Sequence, residues 1–290
     1  MALNKQIWIN QIMQGFYPDD SFLSKADNLT AFVEYNTIHI AGAGIDPKVL
    51  INNTTYPIRV LQREDSDNAI SLDKFETENT LIRRPDVIEY SYDKVESVIM
   101  QHRATLRKAV SMKAIHAYAP TADTSDTPVI LTTGEVKNGR KVLTCADILA
   151  LKERFDDADV PADERYLVLH PKHVTDLLSE DLKLFKNITD LQNGEPFRFA
   201  GFGIFTFSKM PTYSLIDNVL TKIAFNGEAS NQFASIAFYA KEVMKADGDI
   251  FMYVRENDPE ERGTIMGFDK RFIAMPKRNK GIGAIVTDLA

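Results

Sequence analysis

Cysteine is nearly absent: Cys145 is the only one in 290 residues. A single thiol excludes an intrachain disulfide framework and every zinc pattern built on two or four cysteines. It fits a reducing compartment, and Cys145 reads as a small buried hydrophobe. Long hydrophobic runs are missing too. No stretch reaches 18 consecutive apolar residues, so no membrane-spanning helix is expected. Met1 to Gly15 has one Lys, no apolar core and no small-residue cleavage site, so no secretory leader is expected. Positive charge is in deficit, with a formal net charge of -7 and a pI near 5.4. A chain whose main task is gripping phosphate backbones is usually basic. The one locally basic stretch holds Lys270, Arg271, Lys277, Arg278 and Lys280, and it reads as a solvated strand end.

Motifs that carry chemistry are also scarce. Gly42-Ala43-Gly44 is followed by Ile45-Asp46-Pro47, not by the third glycine and helix start of a dinucleotide fingerprint. There is no phosphate-binding Gly-Lys-Ser or Gly-Lys-Thr loop and no Gly-x-Ser-x-Gly elbow. His170-Pro171-Lys172-His173, with Asp176 beyond it, is the best metal candidate. Its histidines are three apart, whereas helical two-histidine sites use a spacing of four with an acid between them. Surface or capping histidines are expected instead. The neighbours Asp156-Asp157 and Glu260-Glu261 read as solvated charges. No metal and no cofactor is expected.

What is present is an ordinary globular composition, 44% hydrophobic and 26% charged. Asn4 to Gln14 has the spacing of a short amphipathic helix through Ile7, Trp8, Ile12 and Met13, ended near Phe16 to Pro18. Phe32 to Tyr35 and Thr37 to Ile40 look extended, broken at Gly42 and Gly44. Next comes a polar two-stranded excursion. Tyr56 to Leu61 goes out, Asp65-Ser66-Asp67-Asn68 turns, and Ile70 to Leu72 starts the return. It is dense in charges of both signs and too polar to form a core alone. Asp93 and Glu96 then read as a capping box opening a helix to Tyr118. Val95, Val98, Ile99, His102, Leu106, Ala109, Val110, Lys113 and Ala117 mark its inner face. About 26 residues would span roughly 40 Å.

Thr121 to Thr127 reads as a polar, mobile loop, and Asn138-Gly139 as a hairpin turn. A second α/β region follows. Thr144 and Asp147 cap a helix that Val160-Pro161 stops; Tyr166 to Leu169 is a strand; Pro171 opens another helix. Phe197 to Phe207 is extended and broken at Gly201 and Gly203. Strands are expected at Ile223 to Phe225, Ser235 to Tyr239, Phe251 to Val254 and Ile282 to Val286.

Three stretches within this order carry a likeness to a known family. They are Leu72-Asp73-Lys74-Phe75-Glu76-Thr77-Glu78-Asn79-Thr80 leading to Tyr90-Ser91-Tyr92-Asp93-Lys94; Val160-Pro161, Arg165, Leu167-Val168-Leu169 and Pro171 with Leu177-Leu178; and Ala200-Gly201-Phe202-Gly203-Ile204 running to Pro211. The chain resembles the major capsid proteins of tailed bacteriophages with the Hong Kong 97-like fold. The resemblance implies an α+β protein in five parts. These are an N-terminal arm over 1–46, an E-loop hairpin over 47–91, a peripheral domain with a spine helix over 92–141, an axial domain over 142–250, and return strands of the peripheral domain over 251–290.

The resemblance also implies a function without catalysis: self-assembly into hexamers and pentamers of an icosahedral head around double-stranded DNA, held without sequence-specific binding. Partners would be further copies, a portal and a separate scaffolding protein, with no membrane; the place would be the virion, assembled in the host cytoplasm. Inter-subunit contacts would come from the E-loop through Arg59, Arg63, Asp65, Asp67, Lys74, Glu76, Glu78, Arg83 and Arg84, and from the arm through Trp8, Ile12 and Phe16. Some relatives join an E-loop Lys to a neighbour's Asn. Lys74 and Asn257 or Asn279 lie in comparable regions, but no acid catalyst for that bond can be placed. Two other readings stand beside this one: a bacterial encapsulin-type shell, and an α/β enzyme centred on His170, His173 and Asp176.

Overall fold

The computed structural model describes residues 9, 21–42, 66–83, 94–188, 190–192, 195–216, 219–227 and 231–289. Its main elements are β1 (Thr37–Gly42), β2 (Ser66–Ser71), β3 (Asp73–Glu76), β4 (Thr80–Arg83), α1 (Lys94–Tyr118), β5 (Val129–Leu131), α2 (Cys145–Asp157), β6 (Arg165–Leu169), α3 (Pro171–Glu180), β7 (Phe202–Thr206), β8 (Ala234–Tyr239), β9 (Val243–Asp258), β10 (Gly263–Pro276) and β11 (Ile282–Val286).

The long helix forms where its period places it. Val98, Ile99, Leu106, Val110, Ala114, Ile115 and Tyr118 are buried in one continuous core. His102, the polar interruption, is buried as well; its Nε2 hydrogen-bonds Thr80 Oγ1 at 3.1 Å and its ring lies against Phe268. Asp93 lies outside the described residues. The same core takes side chains from two sheets. One is a five-stranded sheet built on the long hairpin β9–β10, with Asp27–Asn28 on one edge and β3 and β4 both pairing with β10. The other is six-stranded, in the order Arg198–Phe199, β7, β6, β8, β11, β5. On its far side α2 and α3 cover a second core of Leu151, Phe155, Leu167, Leu177 and Phe202.

Local signals hold through this second lobe. Thr144 and Asp147 form a complete capping box on α2, a device worth about 1 kcal/mol. Pro171 stands at the start of α3, where a missing N–H costs nothing. Asn138 and Gly139 both have positive φ, 53° and 73°, as a two-residue hairpin turn requires.

The excursion is corrected. Ser66, Asp67 and Asn68 are not a turn but the first residues of β2, which pairs with β1 from Thr37↔Ser71 to Gly42↔Ser66. The stem of the hairpin is therefore 37–42 against 66–71, with Gly42 inside it. Tyr56 to Leu61 and the rest of the tip lie outside the described residues, as do Asn4 to Gln14 except Ile9, and Phe16 to Pro18. Residues 73–83 lie on the chain's own five-stranded sheet. Part of the segment expected to be an arm is docked on the rest of the chain too: Phe22 and Leu23 are buried, Lys25 pairs with Glu195 at 3.0 Å, and Asp27 pairs with Lys277.

Other expectations also change. Ile223 to Phe225 is not a strand; Val219–Lys222 pairs with Tyr213–Ile216 instead. Gly203 does not break its strand. It lies inside β7 because a Cβ there would stand 2.8 Å from the Tyr166 ring. Thr121 to Thr127 is knitted together, with Thr124 and Thr127 hydroxyls 2.7 Å apart. Lys270 is not solvated: it is fully buried and pairs with Asp247 across a bulge in the long hairpin. Two others of the basic stretch are ion-paired, Lys277 with Asp27 and Arg278 with Glu242. The sheets also group residues across the sequence-based boundaries. β9 runs continuously through residue 250, and β11 and β5 join the six-stranded sheet.

Candidate functional site

The histidine cluster forms at the start of α3, but it is not a site open to substrate. His170 caps the helix, its Nδ1 accepting from the Lys172 backbone N–H, and its ring stacks on Phe233 at 4.1 Å. His173 is wholly buried, correcting the surface expectation. Its Nδ1 is 2.6 Å from Ser235 Oγ and its Nε2 2.9 Å from Thr287 Oγ1. Burial depresses both pKa values, to about 4 for His170 and about 3 for His173. Asp176 accepts two hydrogen bonds from Arg140, at 2.6 and 2.7 Å, and a third from the Leu143 N–H. All three residues thus tie α3 to the loops and strands around it. No cluster with metal-binding composition occurs among the described residues. Cys145 is half-buried at the first turn of α2, not fully buried as expected. Burial and the neighbouring Glu180 push its thiol up to about 11, so it stays protonated.

The surfaces of the five-stranded sheet are more informative. One face packs on α1 through Met252, Met266, Phe268 and Phe272. The opposite face is half covered: β1, β2 and Val33 lie over Met244, Ala246 and Ile273 in a small separate core. Beyond the bulge the same face is bare of other elements among the described residues. There Phe251 and Tyr253 are 48% and 57% exposed, a large investment of apolar surface in solvent. Around them lie Lys74 and Glu76, 2.5 Å apart, with Lys74 3.6 Å from Asp269, which accepts from the Tyr253 hydroxyl at 3.1 Å. Glu78 is exposed in the turn between β3 and β4, and Arg83 ends β4 opposite Gly263.

Of the expected contact residues, the structure therefore brings Lys74 and Glu76 together on one sheet face and sets Glu78 and Arg83 further along it. Asp67 is placed by its backbone in the hairpin stem. Arg59, Arg63, Asp65, Arg84, Trp8, Ile12 and Phe16 lie outside the described residues. Sequence reasoning missed Phe251 and Tyr253, and also Tyr35, fully exposed at a turn where it and Asn36 have φ of 48° and 61°. Alternation in Phe251-Met252-Tyr253 was readable. Which parity faces out depends on the bulge, which was not.

A long helix under a two-stranded hairpin, joined to a six-stranded α/β lobe, is the α+β architecture of Hong Kong 97-like shell subunits, and comparison with solved structures bears this out. The capsid structure of the cyanophage P-SCSP1u matches with a TM-score of 0.60 at 15% identity, covering 90% of this chain and 86% of that one. A structure from mycobacterium phage Che8 matches with a TM-score of 0.59 at 14% identity, covering 87% and 85%. A virus-like particle from Pyrococcus furiosus matches with a TM-score of 0.56 at 14% identity, covering 97% and 99%. No curated protein matches by sequence. The family model for phage capsid proteins matches residues 62–255. The chain belongs to the phage capsid protein family.

Proposed function

We propose that the chain is the major capsid subunit of a tailed bacteriophage. Copies assemble into hexamers and pentamers that close an icosahedral head around double-stranded DNA, in the host cytoplasm, with a portal and a separate scaffolding protein. The observation that carries this is the family match over residues 62–255, on a chain nine-tenths of which superposes on a phage capsid subunit. Ring contacts are heterologous, so each subunit needs two different complementary surfaces. A hairpin stem leaving at Gly42 and Ser66 and a bare aromatic sheet face are two such surfaces. In this reading residues 142–250 line ring centres, residues 92–141 with 251–290 join rings, and the arm and E-loop overlap neighbours through the residues named for them. Their charge pairs are weak singly, about 0–1 kcal/mol each when exposed, which lets wrong contacts dissolve. Electron microscopy of the overexpressed protein tests this. Closed shells, tubes or rings are expected; a strict monomer at every concentration and salt, with scaffolding supplied, would overturn it.

A second reading has one observation in its favour: the Pyrococcus furiosus particle matches over 99% of its subunit. An encapsulin-type compartment would hold protein cargo. Native particles containing an enzyme and no genomic DNA would establish it.

A further inference from the structure

The face of α1 turned away from the sheets has a charge pattern opposite in sign to that of the chain as a whole. It exposes Met100, Gln101, Ala104, Thr105, Arg107 and Lys108. The helix carries five basic residues, Lys94, Arg103, Arg107, Lys108 and Lys113, against the single acid Glu96, in a chain of net charge -7. Lys113 is engaged with Asp73 at 3.6 Å, and Arg103 is half-buried. Arg107 and Lys108 are exposed and make no ion pair among the described residues. The opposite side of the subunit mixes its cations with acids, although Arg83 there also makes no ion pair among the described residues. On the bare sheet face Lys74 is paired with Glu76, and Arg255 with Asp258 at 2.5 Å. A cation already paired has little attraction left for a new anion. An unpaired one on a rigid helix keeps it.

We infer that this face of α1 is the inner surface of the shell and lies against the phosphates of packaged double-stranded DNA, with Arg107 and Lys108 each neutralising one phosphate. The inference rests on the shell reading above. Ala104 and Thr105, about one turn before the two cations, keep the surface low, so a rigid duplex can approach. Base edges are not reached, so no sequence is read. An acidic protein is the competing occupant, but protein contacts centre on Trp, Tyr and Arg, and of these this face has Arg107 and no aromatic residue. Two phosphates per subunit hold weakly, so DNA can still slide during filling, while the contacts recur in every copy.

Acetylation of Lys108, followed by mass spectrometry on native particles before and after nuclease emptying, tests the inference. The expected result is labelling several-fold slower in filled particles, restored when the DNA is removed. Equal rates overturn it. Protection confined to DNA-free precursor shells that contain scaffolding protein also overturns it, in favour of an acidic protein partner. The variant Arg107→Gln/Lys108→Gln gives an independent reading on disassembled capsomers binding duplex DNA. The slope of log affinity against log salt should fall by about 1.8, at roughly 0.9 per lost phosphate contact; an unchanged slope counts against the assignment. DNA-filled shells with an equally reactive Lys108 sink this inference alone. Failure to form shells at all sinks the shell reading with it.

Discussion

At the scale of single residues, the lobe built on the six-stranded sheet is held by polar groups whose removal is costly because they are buried. His173 sits neutral between Ser235 and Thr287, and its pKa is depressed by burial first, then by His170 and Arg140. The unfolded imidazole titrates near 6.5. Below that pH the unfolded state binds a proton that the folded state refuses, so this contribution is fully present above about pH 6.5 and is lost as pH falls toward the folded value near 3. Thermal melts should show a midpoint that declines between pH 6.5 and 4, and His173→Gln should flatten that decline while lowering the midpoint at pH 7. An equally steep decline in the variant would assign the acid sensitivity elsewhere. A second contrast concerns ion pairs. Arg140→Ala strands the buried Asp176 carboxylate and should cost about 3 kcal/mol in urea unfolding. Lys152→Ala removes an exposed pair with Asp156 and should cost under about 1 kcal/mol. Similar losses in both would mean that burial does not set the scale here.

Among the elements, α1 bears most on the fold, since both sheets bury side chains against it. Leu106→Ala should cost about 2–5 kcal/mol, because the site is enclosed and cannot collapse fully. Ala104→Gly, on the exposed face of the same helix, should cost only about 1 kcal/mol, the difference in helix propensity. Denaturant melts of the two variants would separate packing from propensity. This helix was legible in the sequence because a 3.6-residue period over so many residues has few competitors, and α2, β6 and α3 were legible through Thr144, the apolar run before His170, and Pro171. The excursion was misread for an equally physical reason. Asp65-Ser66-Asp67-Asn68 has turn chemistry, but pairing with β1 takes up Ser66, Asp67 and Asn68, and Leu72 is buried and Ile70 half-buried in the small core with Met244 and Ala246. Long-range pairing overrode local preference. Lys270 was misread likewise: its counter-charge, Asp247, comes from the facing strand, which no local pattern reveals.

For the whole molecule, the consequence of the corrected hairpin is a sharper test of how copies hold one another. Removing residues 62–72 would take away β2 and uncover Met244, Ala246 and Ile273, so a failure to assemble would say nothing about contacts between subunits. The pairing shows where to cut instead. Gly42 and Ser66 face each other at the open end of the stem, so replacing residues 43–65 with Asn-Gly closes β1 and β2 by a two-residue turn of the favoured type. Every described contact of the small core stays. The variant should therefore be folded, with a melting midpoint within a few degrees of the parent, yet form few or no shells under conditions where the parent assembles. Its monomers should still carry the bare face around Phe251 and Tyr253, and so should bind more of a dye that reports exposed apolar surface than assembled parent does. If the variant assembles into normal shells, residues 43–65 do not join subunits. The contacts that close the shell would then have to be sought on the arm and on that aromatic face.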